Sequence, residues 1–238
     1  MITAIIPARG GSKRIPKKNI KNFCGRPMIS YAISAAKESN IFDRIIVSTD
    51  DVETADIARF YGADVPFIRP SNLSDDYTGI ASVVKHSISK LGSSLNQEDL
   101  ICCIFPCVPL IDTLDIKEAL SLLRSTSNAA FSFPIAEFES PIQRGLFRKE
   151  NGLLNSISPE FESFRTQDLE PAFHDVGQFY WGCVASWMDI EDIHNNSVGL
   201  IIPKWRSVDV DTIEDWQKAE FIFRGINKFE IGSKSINI

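Results

Sequence analysis

The 238-residue sequence has no apolar run long enough to cross a bilayer and no carboxylate anywhere in its first 37 residues. Its longest nearly apolar stretch, Ile101 to Ile111, is eleven residues interrupted by Pro106 and Pro109, well short of the roughly 20 that a spanning helix needs. At the N-terminus the cations follow the apolar residues, and MITAII is too short for a secretory core, so the chain is expected to be cytoplasmic, with no membrane partner. Histidine is scarce, at three, and cysteine comes as an odd five: Cys24, Cys102, Cys103, Cys107 and Cys183. That count, without an export signal, argues against a disulfide framework. Cys103 and Cys107 also lack the second ligand pair of a zinc site, and the thiols read as small buried hydrophobes. Two phosphate-loop signatures are missing as well. G-x-x-x-x-G-K-[ST] fails because no glycine directly precedes Lys17 or Lys18, and G-x-G-x-x-G fails because Gly10 and Gly11 stand alone until Gly25. Kinase and dehydrogenase readings are weakened accordingly.

Charge is present but uneven. The whole chain has 25 Lys+Arg against 31 Asp+Glu, a net charge of -6, and such a total does not coat nucleic acid or an anionic membrane. Yet Arg9, Lys13, Arg14, Lys17, Lys18, Lys21, Arg26 and Lys37 all lie in the acid-free first 37 residues, which leaves 17 cations against 31 carboxylates, or -14, for the rest. A local anion site at the N-terminal end is the consequence.

Hydrophobic periodicity predicts the architecture. Ile2 to Ala8 and Arg44 to Ser48 are short apolar runs of buried-strand type. Between them Pro27 opens a helix with Ile29, Ile33 and Ala36 on one face. Asp50 or Asp51 caps the next helix, whose inner stripe is Val52, Ala55, Ala58 and Tyr61, with Gly62 just past its end. A short extended piece covers Val65 to Ile68, and a helix runs from about Thr78 to Gly92. Then come a strand at Leu100 to Phe105, a helix carrying Ile116, Ala119, Leu120 and Leu123, and a strand at Ala129 to Phe133. This alternation predicts an α/β fold, a doubly wound, mostly parallel Rossmann-like sheet, with ligands at the carboxyl ends of the strands. The rhythm breaks from about Ile135 to Asp175, with a hairpin turn at Lys149 to Gly152. Residues 1–135 and 175–238 are therefore assigned to one catalytic domain and 136–174 to an inserted arm, which suits dimerisation. Strand material at Gln178 to Trp187, an apolar strand at Leu200 to Ile202, a short strand ending in Asp209 and a final helix complete the chain. Thr212 and Asp215 form that helix's capping box.

Two segments carry chemistry. Arg9-Gly10-Gly11-Ser12-Lys13-Arg14 to Asn19 follows the first strand directly; paired glycines let backbone N–H groups turn toward an anion, and the cations suit a triphosphate. Asp209-Val210-Asp211 places two carboxylates on one side of an extended chain, a donor pair for Mg2+. His174 to Trp181, Arg69 with Asp75 and Asp76, and Arg165 with Gln167 add weaker polar clusters.

The strings IPARGGSKRIPKKNI, CGRPMISYAI, FDRIIVSTDD, RPSNLSDD and DVDTIEDW resemble the CMP-sialic acid synthetase family of cytidylyltransferases over essentially the whole chain. SPIQRG, RTQDLEPAFHDVGQFYWG and WRSVDVDT are similar to its pseudaminic acid branch. The resemblance implies an enzyme that joins CTP and a nonulosonic acid, most simply pseudaminic acid, and releases pyrophosphate, working as a homodimer with Mg2+. It implies CTP contacts from Arg9, Gly10, Gly11, Ser12, Lys13, Arg14, Lys18, Asn19, Arg69, Asp76 and Thr78. It implies sugar contacts from Arg165, Gln167, His174, Gly177, Gln178 and Tyr180, metal ligation by Asp209 and Asp211, and catalytic roles for Arg9, Lys18 and Asp211. One departure matters: where sialic acid enzymes commonly read Gln-Pro-Thr-Ser-Pro-Leu-Arg, this chain has Phe105-Pro106-Cys107-Val108-Pro109-Leu110-Ile111, so N-acetylneuraminate fits poorly. Legionaminate or another acylneuraminate as substrate, an inactive nucleotide binder and a sugar-nucleotide hydrolase remain the rival readings.

Overall fold

The computed structural model describes residues 1–189 and 192–234, with side chains placed to residue 226. In chain order the strands and helices are β1 (Ile2–Pro7), β2 (Asn22–Phe23), β3 (Arg26–Pro27), α1 (Ile29–Ser39), β4 (Arg44–Ser48), α2 (Val52–Phe60), α3 (Ile80–Leu91), β5 (Leu100–Ile104) and α4 (Thr113–Ser125). They continue with β6 (Phe131–Glu137), β7 (Leu146–Arg148), β8 (Leu154–Ser156), β9 (Phe173–Asp175), β10 (Phe179–Cys183), α5 (Val184–Asp189), β11 (Ser197–Ile201) and α6 (Ile213–Lys234). The main sheet has the order β11-β6-β10-β5-β1-β4, with β9 on the edge of β6. β1 pairs parallel with both β4 and β5, and β11 parallel with β6. β10 runs antiparallel between β5 and β6, so the sheet is mixed and mostly parallel along its nucleus.

Strand alternation builds the core on both faces. Ala4, Ile6 and Ala8 of the β1 segment join Cys102, Ile104, Phe179 and Trp181 beneath α1 and α4, while Ile5, Ile101, Cys103 and Tyr180 face α3 and α5. Strands covered twice need apolar residues at every position, which is why ITAIIP carries no pattern of its own. Each fully buried Ile or Phe contributes about 1.5–3 kcal/mol, enough to fix the strand ends that carry the site. A third cluster gathers Ile15, Phe23, Met28, Val208, Val210 and Trp216, joining the segment after β1 to the start of α6.

Several local expectations hold. Asp51 accepts from the Thr54 amide at 2.9 Å and caps α2. Thr212 and Asp215 exchange bonds at 2.7 and 3.2 Å as a capping box. The β7–β8 hairpin turns through Lys149 to Gly152, the glycine at φ +84°.

Other expectations are corrected. Pro27 ends the small β2–β3 hairpin instead of opening a helix, and α1 starts at Ile29. The aromatic run after Gln178 stays a strand only to Cys183 and then coils into α5, where Trp187 packs edge-on against Phe131 and its indole N–H donates to the Ile101 carbonyl at 3.4 Å. No strand ends at Asp209; residues 207–211 pair with no strand among the described residues. Their alternation survives because Val208 and Val210 are buried in the third cluster.

A buried ion pair anchors that unpaired stretch. Arg206 holds Asp115 of α4 through two bonds, at 2.6 and 3.1 Å, and its carbonyl accepts from Gln178 at 2.9 Å. Burial raises the Asp115 pKa, against the pull of Arg206. Removing Arg206 would strand the buried Asp115 charge, at about 3–5 kcal/mol, whereas Arg206 without Asp115 keeps Asp112 at 3.2 Å.

Candidate functional site

A cleft of about 590 Å³ opens at the carboxyl ends of β1, β4 and β5, the position expected for ligands in an open α/β sheet. Its floor is Pro7 at the end of β1, and one wall is the loop after it, contributing Arg9, Ser12, Lys13, Arg14, Lys18 and Asn19. The opposite wall comes from residues 69–83, with Arg69, Asp75, Asp76 and Thr78. Phe105, Pro106 and Cys107 after β5, Gly177 before β10, and Asp209 and Asp211 before α6 close the ring.

The cations of the first loop are all paired with carboxylates from distant segments. Arg9 reaches the Asp75 carbonyl and the Asp76 carboxylate, each at 2.7 Å, and Lys13 meets the other Asp76 oxygen at 2.5 Å. Those two cations hold the Asp76 carboxyl below its usual range. Arg14 and Lys18 converge on Asp211, at 2.7 and 3.1 Å, and Lys18 also donates to the Val210 carbonyl at 2.6 Å. A polyanion entering the cleft would exchange with Asp76 and Asp211 for these four cations. Lys17, by contrast, turns outward onto Glu53.

Arg69 is almost fully buried, and burial lowers its pKa against the opposing charge of Asp50 3.9 Å away. Its amide is tied to the Thr49 carbonyl at 2.8 Å and its Nε donates to Ser74 at 3.2 Å. Asp75 accepts from the Thr78 amide and hydroxyl, both at 2.7 Å, a turn that starts the approach to α3. Such turns use a short carboxylate to satisfy backbone donors two or three residues on.

The donor set at Asp209 and Asp211 can be tested against a divalent ion. Asp209 has no hydrogen bond or ion pair among the described residues; protein packed around part of its carboxylate, and next the charge of Asp211, raise its pKa, although one side remains open to the cleft. A carboxylate without a partner, beside a second carboxylate, is suited to a cation. No group of three or more His, Cys, Asp or Glu that could cage a metal occurs among the described residues. Two hard oxygen donors with room for waters and phosphate oxygens suit Mg2+, which is seldom enclosed by protein alone. The residues fit the ion.

Thirteen of the polar and glycine residues singled out from the sequence line one cleft: Arg9, Ser12, Lys13, Arg14, Lys18, Asn19, Arg69, Asp75, Asp76, Thr78, Gly177, Asp209 and Asp211. Gly10 and Gly11 do not. The Gly10 amide donates to Asp50 at 2.9 Å, and a Cβ on Gly10 would come within 2.7 Å of Asp51, so this glycine serves close packing of the loop on the start of α2 instead of cradling an anion. Gly11 is exposed in open space. Arg165 and Gln167 stand exposed on the segment between β8 and β9, where Arg165 grips Asp168 at 2.8 Å. His174 bonds its neighbour's carbonyl, and Gln178 is buried on Arg206. Tyr180 is buried too, its hydroxyl donating to Asp175 at 2.5 Å.

Sequence reasoning named Asp175 only as one member of the His174 to Trp181 cluster and assigned no site role to Asp175 or Asp50. Asp175 accepts from the Gly177 amide at 2.8 Å, Tyr180 at 2.5 Å and His194 at 3.0 Å, and so sets the Gly177 turn, with φ at +67°, on the rim of the cleft. Its neighbours His174 and Gly177 were assigned sugar contacts, and Asp175 was not. Asp50 was read only as a helix cap; its position at the end of β4 was the available signal.

Comparison with known proteins follows this geometry. A family model described as Cytidylyltransferase matches residues 3–221. The chain is 40% identical over 221 residues to "Pseudaminic acid cytidylyltransferase" of Campylobacter jejuni subsp. jejuni serotype O:2, covering 92% of this chain and 95% of that protein. It is 29% identical over 228 residues to "CMP-N,N'-diacetyllegionaminic acid synthase" of Legionella pneumophila subsp. pneumophila, covering 92% and 94%. Among solved structures, a CMP:2-keto-3-deoxy-manno-octonic acid synthetase complexed with CTP superposes with a TM-score of 0.68 at 15% identity, covering 94% of this chain and 98% of that one; the likeness is one of fold.

Proposed function

The chain belongs to the cytidylyltransferase family, and from that premise we propose that it joins CTP to a nine-carbon acidic sugar, giving the CMP-sugar and pyrophosphate. Pseudaminic acid is the proposed sugar, supported by the relative at 40% identity and by the apolar Phe105-Pro106 wall. The observation that carries the reading is the meeting of the first loop with the late aspartates: Arg14 and Lys18 on Asp211, across nearly 200 residues of chain.

The reaction is attack of the sugar's anomeric hydroxyl on the CTP α-phosphorus, with pyrophosphate leaving. Arg9, Lys13, Arg14 and Lys18 neutralise charge on the phosphate oxygens, and as preformed charges in a narrow cleft they do so without reorganising at the moment of reaction. Arg69, Asp76 and Thr78 bound the nucleoside side, and Ser12 and Asn19 add polar contacts. Holding the hydroxyl in line with the leaving group removes much of the entropic barrier. Asp209 and Asp211 would hold Mg2+, which when bound supplies further charge neutralisation at the phosphates.

On the sugar side Gly177 reaches the cleft directly, while His174, Gln178 and Tyr180 shape the turn and strand behind it. Arg165 and Gln167 belong to residues 136–174, which we propose as a dimerisation arm inserted in the catalytic domain formed by 1–135 and 175–238. The arm's exposed Leu146, Phe147, Leu153, Leu154 and Phe164 support this, since several large apolar side chains left exposed on one segment suit association. In a homodimer such an arm could bring Arg165 to a sugar carboxylate. Sedimentation at micromolar concentration is expected to give the mass of two chains; a monomer would remove the arm's role. No helix among the described residues is long and apolar enough to cross a membrane, and dependence on CTP supports a cytoplasmic location.

The experiment is a panel of pseudaminic, legionaminic and N-acetylneuraminic acids, each with CTP and Mg2+, followed by pyrophosphate release. Pseudaminic acid is expected to give the highest kcat/KM. A higher value for legionaminic acid would favour the second reading, which the whole-length Legionella relative supports. CTP binding without pyrophosphate from any sugar would make the protein a nucleotide binder. CMP release from a CMP-sugar would make it a hydrolase.

A further inference from the structure

We propose that Cys107 is a positioning residue for nucleotide binding: its thiol fixes the side-chain amide of Asn19, which in turn holds the Arg9 backbone and leaves one amide N–H for the ligand. The inference rests on reading the cleft as the CTP site.

Asn19 is buried at 6% exposure and lines the cleft. One end of its amide lies 2.8 Å from the Arg9 carbonyl and the other 3.1 Å from the Cys107 sulfur. A carbonyl only accepts, so the end facing Arg9 must be Nδ2, and the end facing Cys107 must be Oδ1. The thiol then has to donate. Burial pushes its pKa up to about 12, which keeps the proton on sulfur at neutral pH, and the same burial makes the thiol a poor nucleophile.

The chain of contacts is therefore directional, from the Cys107 S–H to Asn19 Oδ1 and from Asn19 Nδ2–H to the Arg9 carbonyl. It ties the loop after β5 to the loop after β1 across 88 residues. The backbone carbonyl it holds belongs to the residue whose guanidinium reaches across the cleft to Asp75 and Asp76. One amide hydrogen on Nδ2 has no other protein acceptor among the described residues. With its amide held at both ends, Asn19 meets a ligand as a donor, the polarity a phosphate or ribose oxygen needs; without Cys107 the Arg9 carbonyl alone would hold that orientation, and Oδ1 would lose its donor. An alcohol in place of the thiol could still donate, whereas a methyl could not.

The test measures CTP affinity by calorimetry, and kcat/KM for CTP and for the sugar, in Cys107→Ala, Cys107→Ser, Asn19→Ala and the Cys107→Ala/Asn19→Ala double variant. Cys107→Ala is expected to weaken CTP binding about tenfold, the scale of one buried hydrogen bond, with KM for the sugar within about twofold. Cys107→Ser is expected to restore most of the affinity. In the Asn19→Ala background Cys107→Ala should add little, because both act through one amide. Wild-type affinity in Cys107→Ala would overturn the proposal. So would a loss in Cys107→Ser as large as in Cys107→Ala, or a full tenfold effect persisting without Asn19. Thermal melting accompanies each variant; should Cys107→Ala fail to fold, Cys107→Val fills the site without a donor and carries the same expectations. CTP binding and turnover by the wild-type protein decide the reading of the cleft separately from any variant.

Discussion

Asp211→Ala is expected to lower pyrophosphate release by about a thousandfold, with the melting temperature almost unchanged. Among the described residues Asp211 is the one carboxylate that meets both Arg14 and Lys18, at 2.7 and 3.1 Å, and it stands two residues from Asp209, whose side chain has no partner. Its loss releases two cations from their set positions and leaves Asp209 as a single donor for the proposed Mg2+. Either effect alone is the removal of one aimed charge, worth about 2.7–4 kcal/mol in such a site. The stability effect is small because these pairs are partly exposed, and partly exposed pairs are worth about 0–1 kcal/mol. Asp211→Asn, which keeps the shape, separates the two contributions: it can still accept from Lys18 but carries no charge for the metal. Pyrophosphate release near the wild-type rate in Asp211→Ala would take this residue out of the catalytic machinery.

The N-terminal loop and the late aspartates were legible in the sequence because each is a contiguous stretch whose chemistry is local. Arg9 to Asn19 follows the first strand directly, and a run of apolar residues ending in cations has few structural uses. Val208 and Val210 betrayed the alternation that leaves Asp209 and Asp211 on the other side, even though no strand forms there. The parallel nucleus of β1, β4 and β5 was equally readable, since strands buried on both faces are apolar throughout. What could not be read depends on pairing between distant segments. Nothing local says that β10 inserts antiparallel between β5 and β6, and that insertion decides that Tyr180 points into the core and Gln178 onto Arg206. For the same reason His174 to Tyr180 looked like a cleft-lining string, yet only Gly177 lines the cleft. The Gly10 amide met Asp50 instead of an anion because β4 ends beside the loop, a neighbour 40 residues away. Trp187 read as strand by its side chain, and tertiary packing against Phe131 won.

Arg9→Ala is expected to lower kcat/KM for CTP by about a hundredfold, leaving KM for the sugar within about twofold. Arg9 is the only loop cation that bridges to the opposite wall twice, through the Asp75 carbonyl and the Asp76 carboxylate. Without nucleotide, Asp76 balances it together with Lys13. Binding of a triphosphate is then an exchange of partners: phosphate oxygens take Arg9 and Lys13, and Asp76 is released to water. Because water rehydrates that half-exposed carboxylate readily, the exchange costs little, while the two cations gain a ligand carrying several charges. In Arg9→Ala the exchange has only Lys13 on the protein side, a flexible point charge, and the guanidinium fork that could meet two oxygens at once is gone. Arg9→Lys is accordingly expected to fall between alanine and wild type, because it restores charge without the fork. Steady-state kinetics with CTP varied at saturating sugar, then the reverse, make the distinction. If both kcat and KM for CTP are unchanged in Arg9→Ala, the loop after β1 does not hold the triphosphate, and the exchange with Asp76 has no part in binding.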